Sequence, residues 1–156
     1  MFAACVQTVY RKIVLTLETI PDVLILGAGP AALTLASSCL KRGLVVQGVA
    51  PDPAALWEPR YGAWVDELHP DFQPAVAHTW TRAAVYTPDA YGLERPYAWL
   101  STPRLQEGLR TRCAGAEWIR GRATAVTHTD TGSTVRLHSG RLLRARVVVD
   151  LSLIHI

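Results

Sequence analysis

The sequence predicts an α/β protein built on a nucleotide-binding βαβ unit, with additional antiparallel strands after it. Three observations predict it. A short apolar run, Val23 to Leu26, meets a glycine turn and then a segment with helical spacing. A second apolar run, Leu44 to Val49, lies one helix further along, as a parallel crossover requires. Beyond it, short β-prone runs separated by turn residues continue to Asp150.

The first element is apolar without alternation, the pattern of a strand buried on both faces. Gly27 permits the tight turn after it. Gly29 lets backbone approach a pyrophosphate, and Ala32 stands where a third small residue lets helix and strand pack closely. Ala28, Pro30 and Ala31 complete this cradle. Pro30 suits a first helical turn, where its missing N–H costs nothing. The other N–H groups of that turn are unpaired and suit phosphate. Leu33, Leu35, Ala36, Cys39 and Leu40 form the apolar side of the helix, with Lys41 and Arg42 expected in its last turn and Gly43 at its C-cap. Val23 to Leu40 carries no charge and approaches the length of a membrane span. Gly27, Gly29 and Pro30 interrupt it at the spacing of a phosphate cradle, so the nucleotide reading is preferred.

The second strand ends at Ala50, where dinucleotide sites often place an acid for the ribose hydroxyls. Pro51 and Asp52 follow, and two readings of Asp52 stay open: a displaced ribose acid, or a residue that shapes the turn. Trp57, Tyr61, Trp64, Asp66 and Glu67 then cluster around Pro59 and Gly62. Such aromatics could line a pocket for a large apolar substrate. On the residues alone the preferred reading makes Trp57 and Trp64 core anchors and leaves Asp66 and Glu67 solvated.

Val76 to Thr87 reads as one or two strands, Asp89 to Pro96 as a loop and Tyr97 to Leu100 as a strand. A helix is expected from Thr102 as N-cap and Pro103 as first residue to about Ala114–Gly115. Glu117 to Ile119 and Arg122 to His128 read as strands. Ser139–Gly140 joins Thr134–His138 to Arg141–Ala145 as a hairpin, and Arg146 to Asp150 reads as a buried strand.

The chain has 156 residues, which suits one domain with a core large enough to fold. A formal net charge of +3 with scattered arginines argues against nucleic-acid binding. Cys5, Cys39 and Cys113 are odd in number and far apart, and the histidines lack ligand spacing, so neither a disulfide framework nor a metal site is expected. The apolar run after Arg11–Lys12 is short and meets Glu18, which argues against a secretory leader. Residues 1–20 read as an N-terminal extension whose role stays open: a docking arm, a short strand, or sequence upstream of the true start.

Four blocks resemble the β/ε-type lycopene cyclases of cyanobacteria and plants. They are Leu26 to Ala32 with Gly43 to Pro51, Trp57–Glu58 with Tyr61 to Trp64 and Glu67–Leu68, the Leu105–Leu109–Cys113 helix with Trp118, and Gly140 to Asp150. The resemblance implies an FAD/NAD(P)-binding Rossmann-like domain over 21–150, with part of an inserted substrate region. It implies FAD as cofactor and NADPH as reductant. The implied reaction closes ionone rings on lycopene without net redox change, through protonation of the polyene end, ring closure and proton loss. It places the parent at a membrane surface, on the cytoplasmic or thylakoid side, as a peripheral protein. By the same resemblance Gly27, Ala28, Gly29, Pro30, Ala31 and Ala32 hold the pyrophosphate, and Asp52 or the backbone near Pro51 the adenosine ribose. Trp57, Tyr61 and Trp64 line the substrate region, with Glu67 and Asp66 as candidate catalytic carboxylates. Two departures stand out. Thr102 replaces an arginine that helps hold the cofactor, with Arg104 as candidate substitute. Residues 151–156 do not match the Ala-Thr-Gly expected after the last strand, so they read as a non-native end of a truncated chain that is itself inactive. The alternatives are a flavin monooxygenase or geranylgeranyl-reductase-like enzyme, or a nucleotide-binding fragment without catalysis.

Overall fold

The computed structural model describes residues 20–152. The N-terminal extension, save Ile20, and the C-terminal end, save Leu151 and Ser152, lie outside the described residues. The chain opens with β1 (Val23–Leu26), α1 (Pro30–Leu40) and β2 (Val46–Ala50). An excursion follows: β3 (Tyr61–Trp64), two 3₁₀ turns (Val65–Glu67 and Pro70–Ala75), β4 (Val76–Trp80), β5 (Ala83–Thr87), β6 (Asp89–Leu93) and β7 (Tyr97–Leu100). Then come α2 (Thr102–Arg112), β8 (Glu117–Arg120), β9 (Ala123–Thr129), β10 (Gly132–Leu137), β11 (Leu142–Ala145) and β12 (Val147–Asp150).

The central sheet is parallel, in the order β12-β1-β2-β8. β1 lies inside it and is buried along its whole length. Its side chains alternate between two cores, as strand geometry requires. Val23 and Ile25 face Leu33, Ala36, Leu105 and Leu109 of the two helices. Leu24 and Leu26 face Val135, Leu137, Leu143 and Ala145 of the antiparallel sheet β11-β10-β9. This explains the unbroken apolar run: both faces of β1 are covered, one by helices and one by a second sheet.

Several boundaries differ from expectation. α1 ends at Leu40, so Lys41 is its C-cap and Arg42 lies beyond its last turn. Arg42 nevertheless donates to the Ser38 carbonyl at 2.9 Å. Gly43 takes the left-handed conformation (φ +75°) two residues past the cap and donates its N–H to Leu40 O at 2.9 Å. β2 begins at Val46 rather than Leu44, and Val45 O, just before it, accepts from the N–H groups of Asp22 and Val23 at the start of the ladder with β1. Ser101, not Thr102, is the N-cap of α2; the Thr102 hydroxyl donates instead to Pro59 O at 2.9 Å. The Asp89–Pro96 loop is corrected to a strand over Asp89–Leu93, which pairs with β5 in a two-stranded sheet. The turn-prone Asp89 and Gly92 hid it, because cross-strand pairing rather than propensity makes this strand. β12 is not fully buried: Val147 is 52 % exposed, since β12 pairs with β1 on one side only among the described residues. No helix among the described residues is long and apolar enough to cross a membrane.

Asp22 ties the starts of three strands. One carboxylate oxygen accepts from Val45 N–H at 2.9 Å and the other from Arg146 at 3.1 Å. The Val45 amide and then Arg146 hold its pKa below the ordinary aspartate value. A depressed folded-state pKa contributes stability above the unfolded value of about 3.9 and loses it as pH falls through the folded value. Asp22→Asn is therefore expected to melt below the wild-type chain at neutral pH. The gap should close once pH drops well under about 3.9, as measured by thermal unfolding across a pH series.

Candidate functional site

The site grows from the end of β1. The strand is pinned between two cores, so its carboxyl end fixes where the chain must turn. Gly27 makes that turn at φ +105°, a conformation L side chains rarely adopt, and a Cβ there would meet Leu151 O at 2.6 Å. Gly29 is the N-cap of α1, in extended conformation. A Cβ on Gly29 would meet nothing within 4 Å. Steric crowding therefore demands glycine at 27, whereas at 29 glycine leaves room that nothing in the chain fills. The first bond of the α1 ladder runs from Leu33 N–H to Gly29 O at 3.0 Å. The Ala31 and Ala32 N–H groups thus precede the ladder at the positive end of the helix dipole.

A cavity of ≈ 420 Å³ opens at this end of the sheet. Gly27, Ala28 and Gly29 form one wall, Ala50, Pro51 and Asp52 the next, and Gly121 to Ala123 the third. Trp57 closes it beside Ala55, with Leu151 and Ser152 opposite. It lies outside the carboxyl ends of β1 and β2, where open α/β sheets bind ligands.

The loop after β2 is held by side chains distant in sequence. Trp57 Nε1 donates to Ala28 O at 3.0 Å, which fastens the loop to the glycine turn. Gln106 of α2, 3 % exposed, accepts from Trp57 N–H at 3.2 Å and donates to Ala55 O at 2.7 Å. Arg110 donates to Pro53 O at 3.1 Å and Ala55 O at 3.0 Å. Asp52 Oδ1 accepts from Ala54 N–H at 3.2 Å and pairs with Arg120 at 2.9 Å. Asp52 therefore does shape the turn, while Oδ2 takes part in neither contact and the residue borders the cavity. Arg120 and then the Ala54 amide keep this carboxyl below its ordinary pKa, so it stays ionised at neutral pH. Beneath the site, the buried Cys113 thiol donates to Leu33 O at 3.0 Å, and burial raises its pKa.

The structure gathers Gly27, Ala28, Gly29, Pro51, Asp52 and Trp57 around this one cavity. Ala32 is fully buried against the sheet, as a close-packing residue must be. Pro30 and Ala31 border a neighbouring cleft of ≈ 680 Å³ with Tyr61, Glu67, Leu35 and Leu105. Trp57 is thus a wall of the nucleotide-type cavity. Trp64 lies apart from it and stacks edge-on with Tyr97 at 5.1 Å. Asp66 and Glu67 both pair with Arg95, whose guanidinium lies 4.7 Å from the Trp64 ring centre. Arg95 is the main reason the Asp66 carboxyl sits below its ordinary pKa. Arg104 borders a separate groove with Arg60 and Trp99 rather than the cavity. Gln106, Arg110 and Arg120 were not singled out from sequence; as polar residues on a helix and a strand they carry no motif.

The sequence model of the lycopene cyclase proteins matches residues 22–154. The chain belongs to the lycopene cyclase family. It is 35% identical over 134 residues to a lycopene beta cyclase of Synechococcus elongatus, covering 83% of this chain and 33% of that protein. It is 33% identical over 134 residues to the chloroplastic lycopene beta cyclase of Arabidopsis thaliana, covering 83% of this chain and 27% of that protein. The chain thus spans a third or less of these relatives' length. Among solved structures, a halogenase in complex with phloroglucinol and FAD shares the fold at a TM-score of 0.59 and 18% identity, covering 85% of this chain and 34% of that one.

The two cradle glycines should respond differently to alanine. Gly27→Ala forces a strained φ and a backbone clash and is expected to cost at least about 1–3 kcal/mol. Gly29→Ala should change stability by no more than about 0.5 kcal/mol. Denaturant unfolding of both variants checks the contrast.

Proposed function

We propose that this chain supplies the FAD-binding part of a flavin-dependent lycopene cyclase, which forms ionone rings on lycopene. One observation carries the reading. In a member of this family, the N-terminus of α1 faces a cavity at the carboxyl ends of β1 and β2, with open space where a Gly29 side chain would stand. A pyrophosphate suits that space, because unpaired N–H groups and a helix dipole meet it there. The N–H groups of Gly29, Ala31 and Ala32 hold the pyrophosphate. Asp52 Oδ2 and the backbone near Pro51 hold the adenosine ribose. Trp57, locked to Ala28, covers the cavity's edge. When bound and reduced, FAD supplies negative charge beside the reacting end of the polyene, and NADPH is the reductant.

The candidate carboxylates take roles their surroundings favour. Arg95 holds Asp66 ionised, which suits stabilising positive charge or accepting a proton rather than donating one. Glu67 shares the same arginine and borders the cleft beside Tyr61. Because lycopene is a hydrocarbon, the parent works as a peripheral protein at a membrane surface on the cytoplasmic or thylakoid side. Expression of the full-length gene in lycopene-accumulating cells tests the reading. Lycopene should decline as cyclic carotenes appear. Unchanged lycopene in cells that contain the folded protein would sink it.

A further inference from the structure

Where the second strand of a dinucleotide-binding sheet ends, an acid often meets the ribose, and this chain has Ala50 there. The neighbouring strand brings a charge to the same place. β8 pairs with β2 so that Arg120 stands opposite Ala50, and the ladder continues with the Gly121 N–H on Ala50 O at 2.8 Å. This register is pinned from both faces. Ile119 is buried in the core shared with the antiparallel sheet. Trp118 lies across Gly48 on the other face, where a Cβ on Gly48 would meet its ring at 2.3 Å. Arg120 follows Trp118 by two residues, so its side chain leaves the strand on the same, helical face.

Asp52 lies two residues beyond the strand end, and its carboxylate is tied to this strand pair. Arg120 Nη2 meets Oδ1 at 2.9 Å, and the Ala54 N–H donates to the same oxygen at 3.2 Å. One backbone bond alone leaves the side chain free to swing. A second bond, from a residue on a pinned strand, fixes the carboxylate beside the end of β2. Oδ2 takes no partner among the described residues, and Asp52 borders the cavity with Ala50 and Gly121. The two side chains are 71 % and 45 % exposed, and ion pairs in water contribute little to stability. The arginines here are not set out for a phosphate on the ribose. Arg120 is engaged by Asp52, and Arg110, which borders the same cleft, donates to Pro53 O and Ala55 O. What the pair leaves at the cavity wall is an ionised carboxylate oxygen, an acceptor for a hydroxyl.

We propose that Arg120 is a positioning residue for nucleotide recognition: it holds Asp52 where an acid at position 50 would stand, so that Oδ2 accepts the hydrogen bond of the adenosine 2′-hydroxyl. The inference rests on the nucleotide site proposed above and names what selects its ribose. Arg120 itself touches no ligand. It acts through Asp52, and its contribution therefore appears in the discrimination between nucleotides rather than in the stability of the fold.

The test titrates the purified chain with ADP and with 2′-deoxy-ADP, which differ by that one hydroxyl, and with FAD in parallel. The wild-type chain should bind ADP roughly tenfold tighter than the deoxy form, as a hydrogen bond to a charged acceptor gives. Asp52→Asn keeps an acceptor for the Ala54 N–H but loses the charge, and should remove most of that preference. Arg120→Leu should cut it to about threefold or less, with the melting temperature unchanged. Loss of positive charge as such weakens both nucleotides alike, so their ratio reports the placement of Asp52. In the Asp52→Asn background, Arg120→Leu should leave the ratio where it is. A full tenfold preference in folded Arg120→Leu overturns the inference. So does a wild-type chain that binds both nucleotides equally, and saturable FAD binding then leaves the cofactor reading standing. A preference that depends on Arg120, in a chain that does not bind FAD, supports the inference and overturns only the cofactor reading. A chain that binds none of the three overturns both.

Discussion

Complete burial of β1 between two apolar layers is the constraint from which the rest of the structure follows. Leu24, Ile25 and Leu26 are at most 1 % exposed. A strand this short cannot shift register without moving its side chains between the helical core and the β11-β10-β9 core. Its carboxyl end is therefore fixed, and with it the turn at Gly27, the start of α1 and the opening of the cavity. The same strand passes the constraint sideways through its parallel pairing with β2 and β12. Ala50 and Asp150 are thereby held at the same end of the sheet as the glycine turn.

The loop after β2 depends on a different kind of interaction. Trp57 anchors it to the helical core, and it leaves the sheet beside the cavity. Hydrogen bonds from α2 add to that packing. Gln106 is nearly fully buried and both ends of its amide are used, so truncating it would remove the partner of the half-buried Trp57 N–H. Arg110 and the Trp57 indole bond to backbone carbonyls, which makes the contacts independent of the loop's own side chains. In this way the helix from the second half of the chain sets the shape of a cavity whose floor comes from the first.

The parts of this arrangement that were legible in the sequence are the local ones. The apolar run Val23–Leu26, Pro30 in the first turn of α1 and the turn at Ser139–Gly140 each announce themselves within a few residues. β6 did not, because its residues favour turns and only its pairing with β5 makes it a strand. Nor did the aromatic face of the sheet β3-β7-β4. Trp64, Trp80 and Trp99 are separated by long stretches of sequence, and only the register of β3, β7 and β4 brings them together. Trp57 and Trp64 looked equivalent in sequence, yet the structure sends one to the glycine turn and the other to the sheet's outer face. The difference arises because Trp57 lies in the loop held by Gln106 while Trp64 ends a strand whose alternate residues face outward.

The central claim is that the glycine cradle and its walls recognise the adenosine and pyrophosphate of FAD. The most direct measurement is titration of the purified chain with FAD and, separately, with FMN, which carries the same ring system but lacks both of those groups. The account predicts saturable binding of FAD at least roughly tenfold tighter than FMN, and loss of that preference in Gly29→Ala. Equal affinities for the two flavins, or a preference that survives in Gly29→Ala, would contradict it.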